Sequence, residues 1–313
     1  MRLVFMGTPA LVIPVLDGLA TNPDLQVVGV YTQPDRPRGR GRPSAEGPVK
    51  GHALSLGLPV FQPASLRSAR AQAELAALRP DVIVVAAYGL FLPPPVLGAP
   101  AHGCLNLHPS LLPRHRGPSP VVTAILEGDA VTGITLMLLD EGMDTGPIIA
   151  QRAHPIAPDA TAESLTIALF QLGTALLLET LPAWVAGRVT ARAQAEAQAT
   201  VTRKVERADG QARWELSATD LERRRRAYTP WPGLFTHWQG QVLKLLEVSA
   251  LPAEASPGVP PGLVAPLAFP DMPAGIGTAD GVLGLKTLQL EGRRSVTAAE
   301  FLRGYPQLLG SQL

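Results

Sequence analysis

The sequence predicts an α/β protein in two parts: a doubly wound domain built on a parallel-type sheet, then a small β domain such as a barrel. Three observations predict it. Through the first 188 residues, continuous apolar runs of strand formers alternate with helical stretches, the pattern of a sheet covered on both faces. Near residue 190 the composition turns to alanine and glutamine with no apolar stripe. Beyond it the apolar segments are short and divided by glycine and proline, as in small closed β domains. The expected boundaries are therefore 1–188, a linker 189–206, and 207–313.

Taken in order, "RLVFMG" (2–7) is the first strand, ended by Gly7, and an apolar helical segment runs from Pro9 to Ala20. "QVVGVYT" (26–32) repeats the strand signal. After a polar interval come "KGHALSLGL" (50–58), "LPVF" (58–61), the helical "SARAQAELAALR" (68–79) and the strand "DVIVVAAYG" (81–89). "GCLNLH" (103–108) is the next strand and "SPVVTAILEG" (119–128) the next helix. Strands "GITLMLL" (133–139) and "PIIAQRAHPI" (147–156) follow, then a long helix from Thr161 to Ala186. In the second part, "LERRRRAYTPWPGLFTHW" (221–238) gives one helix and an aromatic turn. Short strand-like segments "QVLKLLEV", "GLVAPL", "GIGTAD" and "GVLGLKTL" complete it.

The chain has 313 residues, 46% hydrophobic and 17% charged, which is globular rather than disordered. A net charge of +1 demands no nucleic-acid or membrane partner globally, so any basic footprint is local. The one cysteine, Cys104, lies in an apolar run and reads as a small buried hydrophobe, which fits a reducing cytoplasm. "MRLVFMG" is too short in its apolar run for a signal peptide, and no run approaches the ~20 apolar residues of a membrane span. A soluble, cytoplasmic monomer is the expectation.

Chemistry concentrates in "NLHPSLLPRHRG" (106–117). Alternate strand residues share a face, so Asn106 and His108 project together, and Pro109, with no N–H, ends the ladder. A polar pair is thus displayed at the C-terminal end of a strand, with a basic proline loop beyond. Downstream, "LLDEGMDTGPI" offers Asp140, Glu141 and Asp144 in a turn between two strands. A carboxylate facing an imidazole fixes its tautomer and stabilises the protonated ring, and an asparagine amide can donate to a developing oxyanion. The competing reading of these acids is turn chemistry, with Asp140 and Asp144 bonding local N–H groups. Neither a G-x-G-x-x-G nor a G-x-x-x-x-G-K-[ST] loop is present, so a nucleotide cofactor is disfavoured. His102, His108 and His115 lack metal-ligand spacing, and His115 reads as an exposed loop residue.

"NLHPSLLPRHRG" followed by "LDEGMDTG" resembles the folate-dependent formyltransferases. "VFMGTP", "TQPDRPRGRG" (32–41) and "RRAYTPWPG" (225–233) make the chain most similar, over nearly its whole length, to the methionyl-tRNA formyltransferase family. The resemblance implies a Rossmann-like first domain and an OB-like, tRNA-binding second domain. It implies transfer of the formyl group of 10-formyltetrahydrofolate to the α-amino group of methionyl initiator tRNA, with no metal. The family's catalytic residues fall on Asn106, His108 and Asp144. Asn106 and the protonated ring of His108 are assigned to the oxyanion, and Asp144 to holding the histidine. Its folate loop falls on Ser110, Leu111, Leu112 and Pro113, with the backbone at Tyr88 and Gly89 beside the pterin. Its tRNA-contacting insert falls on 34–49, with Arg38, Arg40 and Arg42. Here Pro118 and Ser119 stand where the family usually has two small apolar residues. A formyltransferase for an amino sugar nucleotide, a non-catalytic RNA-binding protein and a formylfolate hydrolase are the competing readings.

Overall fold

The computed structural model describes residues 1–37, 44–255 and 257–313. The chain forms two compact units: Met1–Pro120 with Val131–Pro155 and Leu165–Arg203, and Val121–Ala130 with Ile156–Ser164 and Lys204–Leu313.

The first nine strands are β1 (Arg2–Gly7), β2 (Gln26–Tyr31), β3 (Arg36–Pro37), β4 (Ser44–Ala45), β5 (Val60–Phe61), β6 (Val82–Ala86), β7 (Cys104–His108), β8 (Val131–Leu138) and β9 (Ile148–Pro155). Among them run helices α1 (Ile13–Thr21), α2 (Pro48–Ser55), α3 (Ala69–Ala77), α4 (Pro94–Leu97), α5 (Pro120–Glu127) and α6 (Ala162–Val185). Seven strands make one sheet in the order β5-β2-β1-β6-β7-β8-β9. Strand alternation gives it two apolar faces. Leu3, Phe5, Val84, Leu105 and Leu107 face the cluster that holds Leu16 and Leu19 of α1. Val4, Met6, Ile83, Val85 and Cys104 face the one that holds Leu75 of α3 and Val96 of α4.

The expected parallel-type sheet is borne out, with one correction near its edge. Strands β5, β2, β1, β6 and β7 are parallel, but β8 runs antiparallel to β7 and β9 antiparallel to β8. The 139–147 turn is too short for the crossover that parallel neighbours require, so β9 must turn back beside β8. A second correction concerns length. α6 is long and apolar enough to cross a membrane by length and composition. Here its Phe170, Leu176, Leu177 and Leu181 are buried in the core with Leu107 and Ile134. Gly173 allows that approach, since a Cβ there would lie 2.9 Å from Ile134 Cγ1 and 3.4 Å from Leu107 Cδ2.

The second unit is a small barrel-like β domain. Its strands are β10 (Phe235–Trp238), β11 (Gln241–Leu251), β12 (Val264–Phe269), β13 (Met272–Gly277), β14 (Val282–Leu290) and β15 (Val296–Thr297). They form an antiparallel sheet ordered β10-β11-β14-β13-β12, with β15 on β14. Helices α7 (Ala218–Ala227) and α8 (Ala298–Gly304) contribute Leu221 and Phe301 to a core with Trp214, Trp238 and Leu285. The Ser217 side chain accepts from the Asp220 N–H to start α7. Thr297 and Glu300 form a capping box at α8, the structural form of a T-x-x-E signal in the sequence.

Candidate active site

Strand β7 puts Cys104, Asn106 and His108 on one face while Leu105 and Leu107 enter the opposite core. Cys104 is buried, and burial pushes its thiol up to about 12, so it stays protonated. Asn106 is half-buried, between Val85 of β6 and Met137 of β8. His108 is buried, and its two ring nitrogens meet different partners. Nε2 lies 2.9 Å from the His115 carbonyl, and Nδ1 lies 3.6 Å from Asp144 Oδ1. A carbonyl can only accept, so Nε2 carries a proton, and Nδ1 is the nitrogen that faces Asp144.

Burial lowers the His108 pKa below its ordinary value, against the Asp144 charge and the His115 carbonyl, which raise it. One expectation changes with this geometry: the His115 carbonyl, rather than Asp144, sets the tautomer. Burial favours the neutral ring and the Asp144 charge favours the protonated one.

The turn between β8 and β9 separates its three acids. Asp140 does turn chemistry, accepting from the Gly142 N–H at 3.0 Å and the Thr145 hydroxyl at 2.8 Å. Glu141 is exposed. Asp144 alone faces the imidazole, and its Oδ2 accepts from the Gly117 N–H at 2.8 Å. It adopts a left-handed backbone, φ 56°, which aspartate tolerates better than most residues.

The proline loop after β7 is ordered by bonds that spacing does not reveal. Ser110 Oγ donates to the Arg114 carbonyl at 2.7 Å, and the Thr135 hydroxyl donates to the Ser110 carbonyl at 2.6 Å. The Leu112 N–H donates to Thr135 Oγ1, while Gln151 donates to the Leu112 carbonyl. Leu112 itself is buried with Met137 and Ile148. Ser110 and Leu112 therefore build the loop, and Leu111 and Pro113 are its half-buried residues. Tyr88 is likewise turned into the core, its carbonyl accepting from Thr8 and Gln33. The exposed positions of that turn are Ala87 and Gly89, both with positive φ.

His115 and Arg116 are buried, at 3% and 4% exposure, although the sequence alone suggests an exposed loop at His115. The reason is the stretch 189–206, which composition presents as a linker. Thr200 accepts from the N–H groups of His115 and Arg116, and the Thr202 N–H donates back to the Arg116 carbonyl. Arg116 donates to Gln194 and forks onto both oxygens of Glu196. Amides and hydroxyls in a polar, aperiodic stretch give no sequence signal of such contacts.

Arg38, Arg40 and Arg42 lie outside the described residues. The two ends of their insert are joined. β3 pairs antiparallel with β4, and Asp35 accepts from the Gly47 N–H at 3.2 Å and from Gln62 at 2.9 Å. Lys50 also bonds Asp35 at 2.5 Å, and these bonds hold its carboxyl down at about 2.

An amide, a buried imidazole and a carboxylate thus gather at the C-terminal edge of an open, Rossmann-like α/β sheet, where such folds place their ligand sites. Residues 1–181 match the formyl transferase family, and residues 204–306 match its C-terminal domain. A methionyl-tRNA formyltransferase of Roseiflexus sp. (strain RS-1) is 50% identical over 304 residues, covering 97% of this chain and 92% of that one. The Roseiflexus castenholzii methionyl-tRNA formyltransferase is 47% identical over 313 residues, covering 100% and 99%. The chain belongs to the formyl transferase family, and within it to the methionyl-tRNA formyltransferases. Among solved structures, HypX from Aquifex aeolicus in complex with tetrahydrofolic acid shares the fold. Its TM-score is 0.66 at 21% identity, over 96% of this chain and 47% of that one. The Helicobacter canadensis N-formyltransferase with folinic acid and dTDP-3-aminofucose has a TM-score of 0.66 at 17% identity, over 91% and 99%.

Proposed function

We propose that this protein transfers the formyl group of 10-formyltetrahydrofolate to the α-amino group of methionyl initiator tRNA, yielding formylmethionyl-tRNA for translation initiation. The observation that carries this is the setting of His108, read together with close relatives that match both units. The folate co-substrate supplies an electrophilic formyl carbon. Attack by the amine leaves negative charge on the formyl oxygen and a surplus proton on the attacking nitrogen. The Asn106 amide donates to that oxygen, a role worth ~3–4 kcal/mol where such donors have been removed. His108 Nδ1 takes the amine proton, because its ring rests neutral with Nε2–H held by the His115 carbonyl. The nearby Asp144 carboxylate stabilises the imidazolium so formed. As the carbon–nitrogen bond to folate breaks, the imidazolium returns the proton to the leaving nitrogen. Atoms and charge then balance, and the ring is again neutral.

The co-substrate is held where β6 and β7 end side by side, between the 87–89 turn and the 110–113 loop. Leu111, Pro113 and the exposed backbone at Gly89 make the contacts, with Ser110, Leu112 and Tyr88 holding them in place. Methionyl-tRNA is held by Arg38, Arg40 and Arg42 together with the second unit. The protein acts as a monomer, which light scattering checks, in the cytoplasm with no membrane partner, which cell fractionation checks. A formyl-transfer assay comparing initiator methionyl-tRNA, elongator methionyl-tRNA and an amino sugar nucleotide tests the assignment. Preference for the initiator is expected, and transfer to the sugar alone would overturn it.

A further inference from the structure

We propose that Gln194 is a positioning residue for the transfer, tying the turn that carries Asp144 to the loop that carries His115. The inference rests on the roles proposed above for His108 and Asp144. Gln194 is half-buried in the stretch that composition presents as a linker, yet its side-chain amide is fully used. Both N–H bonds of Nε2 are given to the turn, to the Asp144 carbonyl at 2.8 Å and the Gly146 carbonyl at 2.7 Å. Its Oε1 accepts from Arg116 Nε at 2.9 Å. Carbonyls need donors and a guanidinium needs an acceptor, so only one orientation of the amide satisfies all three bonds.

These bonds end on the turn that carries Asp144 and on Arg116, the residue next to His115. Asp144 sits opposite Nδ1, in a left-handed turn whose two carbonyls Gln194 holds. Arg116 follows His115, whose carbonyl holds Nε2, and Glu196 grips the other two guanidinium nitrogens at 2.9 Å each. The gap of 3.6 Å between Asp144 and His108 is wider than a hydrogen bond, so no direct bond fixes it. It is set by how the turn and the loop are held: the Gly117 N–H fixes the carboxylate itself at 2.8 Å, and Gln194 bonds to both segments.

Two variants separate positioning from folding. Gln194→Met keeps the shape and removes all three bonds. Gln194→Glu keeps an acceptor for Arg116 but abolishes both donations to the turn. Both are expected to lower kcat by ~10–100-fold, the scale of a misplaced catalytic group, with the KM values for methionyl-tRNA and folate within about threefold. Each is repeated on an Asp144→Ala background, where the added loss should shrink to about twofold or less because both residues act through one contact. Should Gln194→Met fail to fold, Gln194→Glu alone carries the test. A normal kcat in the Gln194 variants beside a crippled Asp144→Ala would overturn the tie and leave the active-site reading standing. Full additivity with Asp144→Ala would do the same. A normal kcat in Asp144→Ala itself would overturn both.

Discussion

His108 is placed between a fixed acceptor and a charge, and the two control different properties. The His115 carbonyl decides which nitrogen is free, while Asp144 acts on how readily that nitrogen takes a proton. His108→Ala and Asp144→Asn should each cut turnover by at least ~10²-fold while the far-UV spectrum and folding stay intact. The pH profile gives a sharper test. The base must be neutral, so kcat should fall as pH drops through a His108 pKa that burial has lowered from 6.5. Asp144→Asn removes the charge that opposes this lowering, so the residual acid limb should move to still lower pH. A limb that moves upward would contradict the assignment. Stability follows the same sign. The unfolded histidine binds its proton more readily than the buried one, so stability is full above about 6.5 and declines as pH falls below it.

At the scale of elements, the 110–113 loop depends on β8 and β9 through Thr135, Gln151, Met137 and Ile148. Leu112→Ala should therefore cost about 2–5 kcal/mol in denaturant unfolding, as buried leucine truncations do. It should also weaken binding of a folate analogue more than binding of tRNA, measured by separate titrations. Equal losses would mean that the loop supports both sites. Helix α6 presents the complementary case. It reaches the sheet at a glycine, so Gly173→Val should overpack the contact with Ile134 and Leu107 and cost about 1–3 kcal/mol, read as a lower urea midpoint.

For the whole molecule, the proposed recognition of the acceptor places the arginine insert away from the reacting atoms. The insert that carries Arg40 follows β2, and β2 is parallel to β1, β6 and β7, so it leaves the sheet at the same edge as His108. Arg40→Ala should raise the tRNA KM or lower kcat while sparing folate affinity, and Arg40→Lys should only partly restore it, since lysine lacks the planar fork. Removing an arginine that neutralises one phosphate should also lower the salt dependence of tRNA binding, by about one unit of slope or less. Wild-type tRNA kinetics in both variants would show that the insert has no part in recognition.

The residue pattern by itself determined the doubly wound first domain, the small β domain after it, and the strand that displays Asn106 and His108. These follow from local rules: alternation fixes which side chains share a face, apolar runs fix which segments are covered, and proline ends a ladder. Asp144 was reachable only as one of three neighbouring acids, and the resemblance to formyltransferases singled it out. Tertiary structure alone decided the rest. It reversed β8 against the rest of the sheet, buried His115 and Arg116, turned Tyr88 and Leu112 inward, and bound Gln194, Thr200 and Thr202 along the loop after β7. Those bonds join residues roughly 80 positions apart through single amides, hydroxyls and carbonyls. Such groups bond wherever the fold brings a partner, so no periodicity or spacing marks them before the chain has folded.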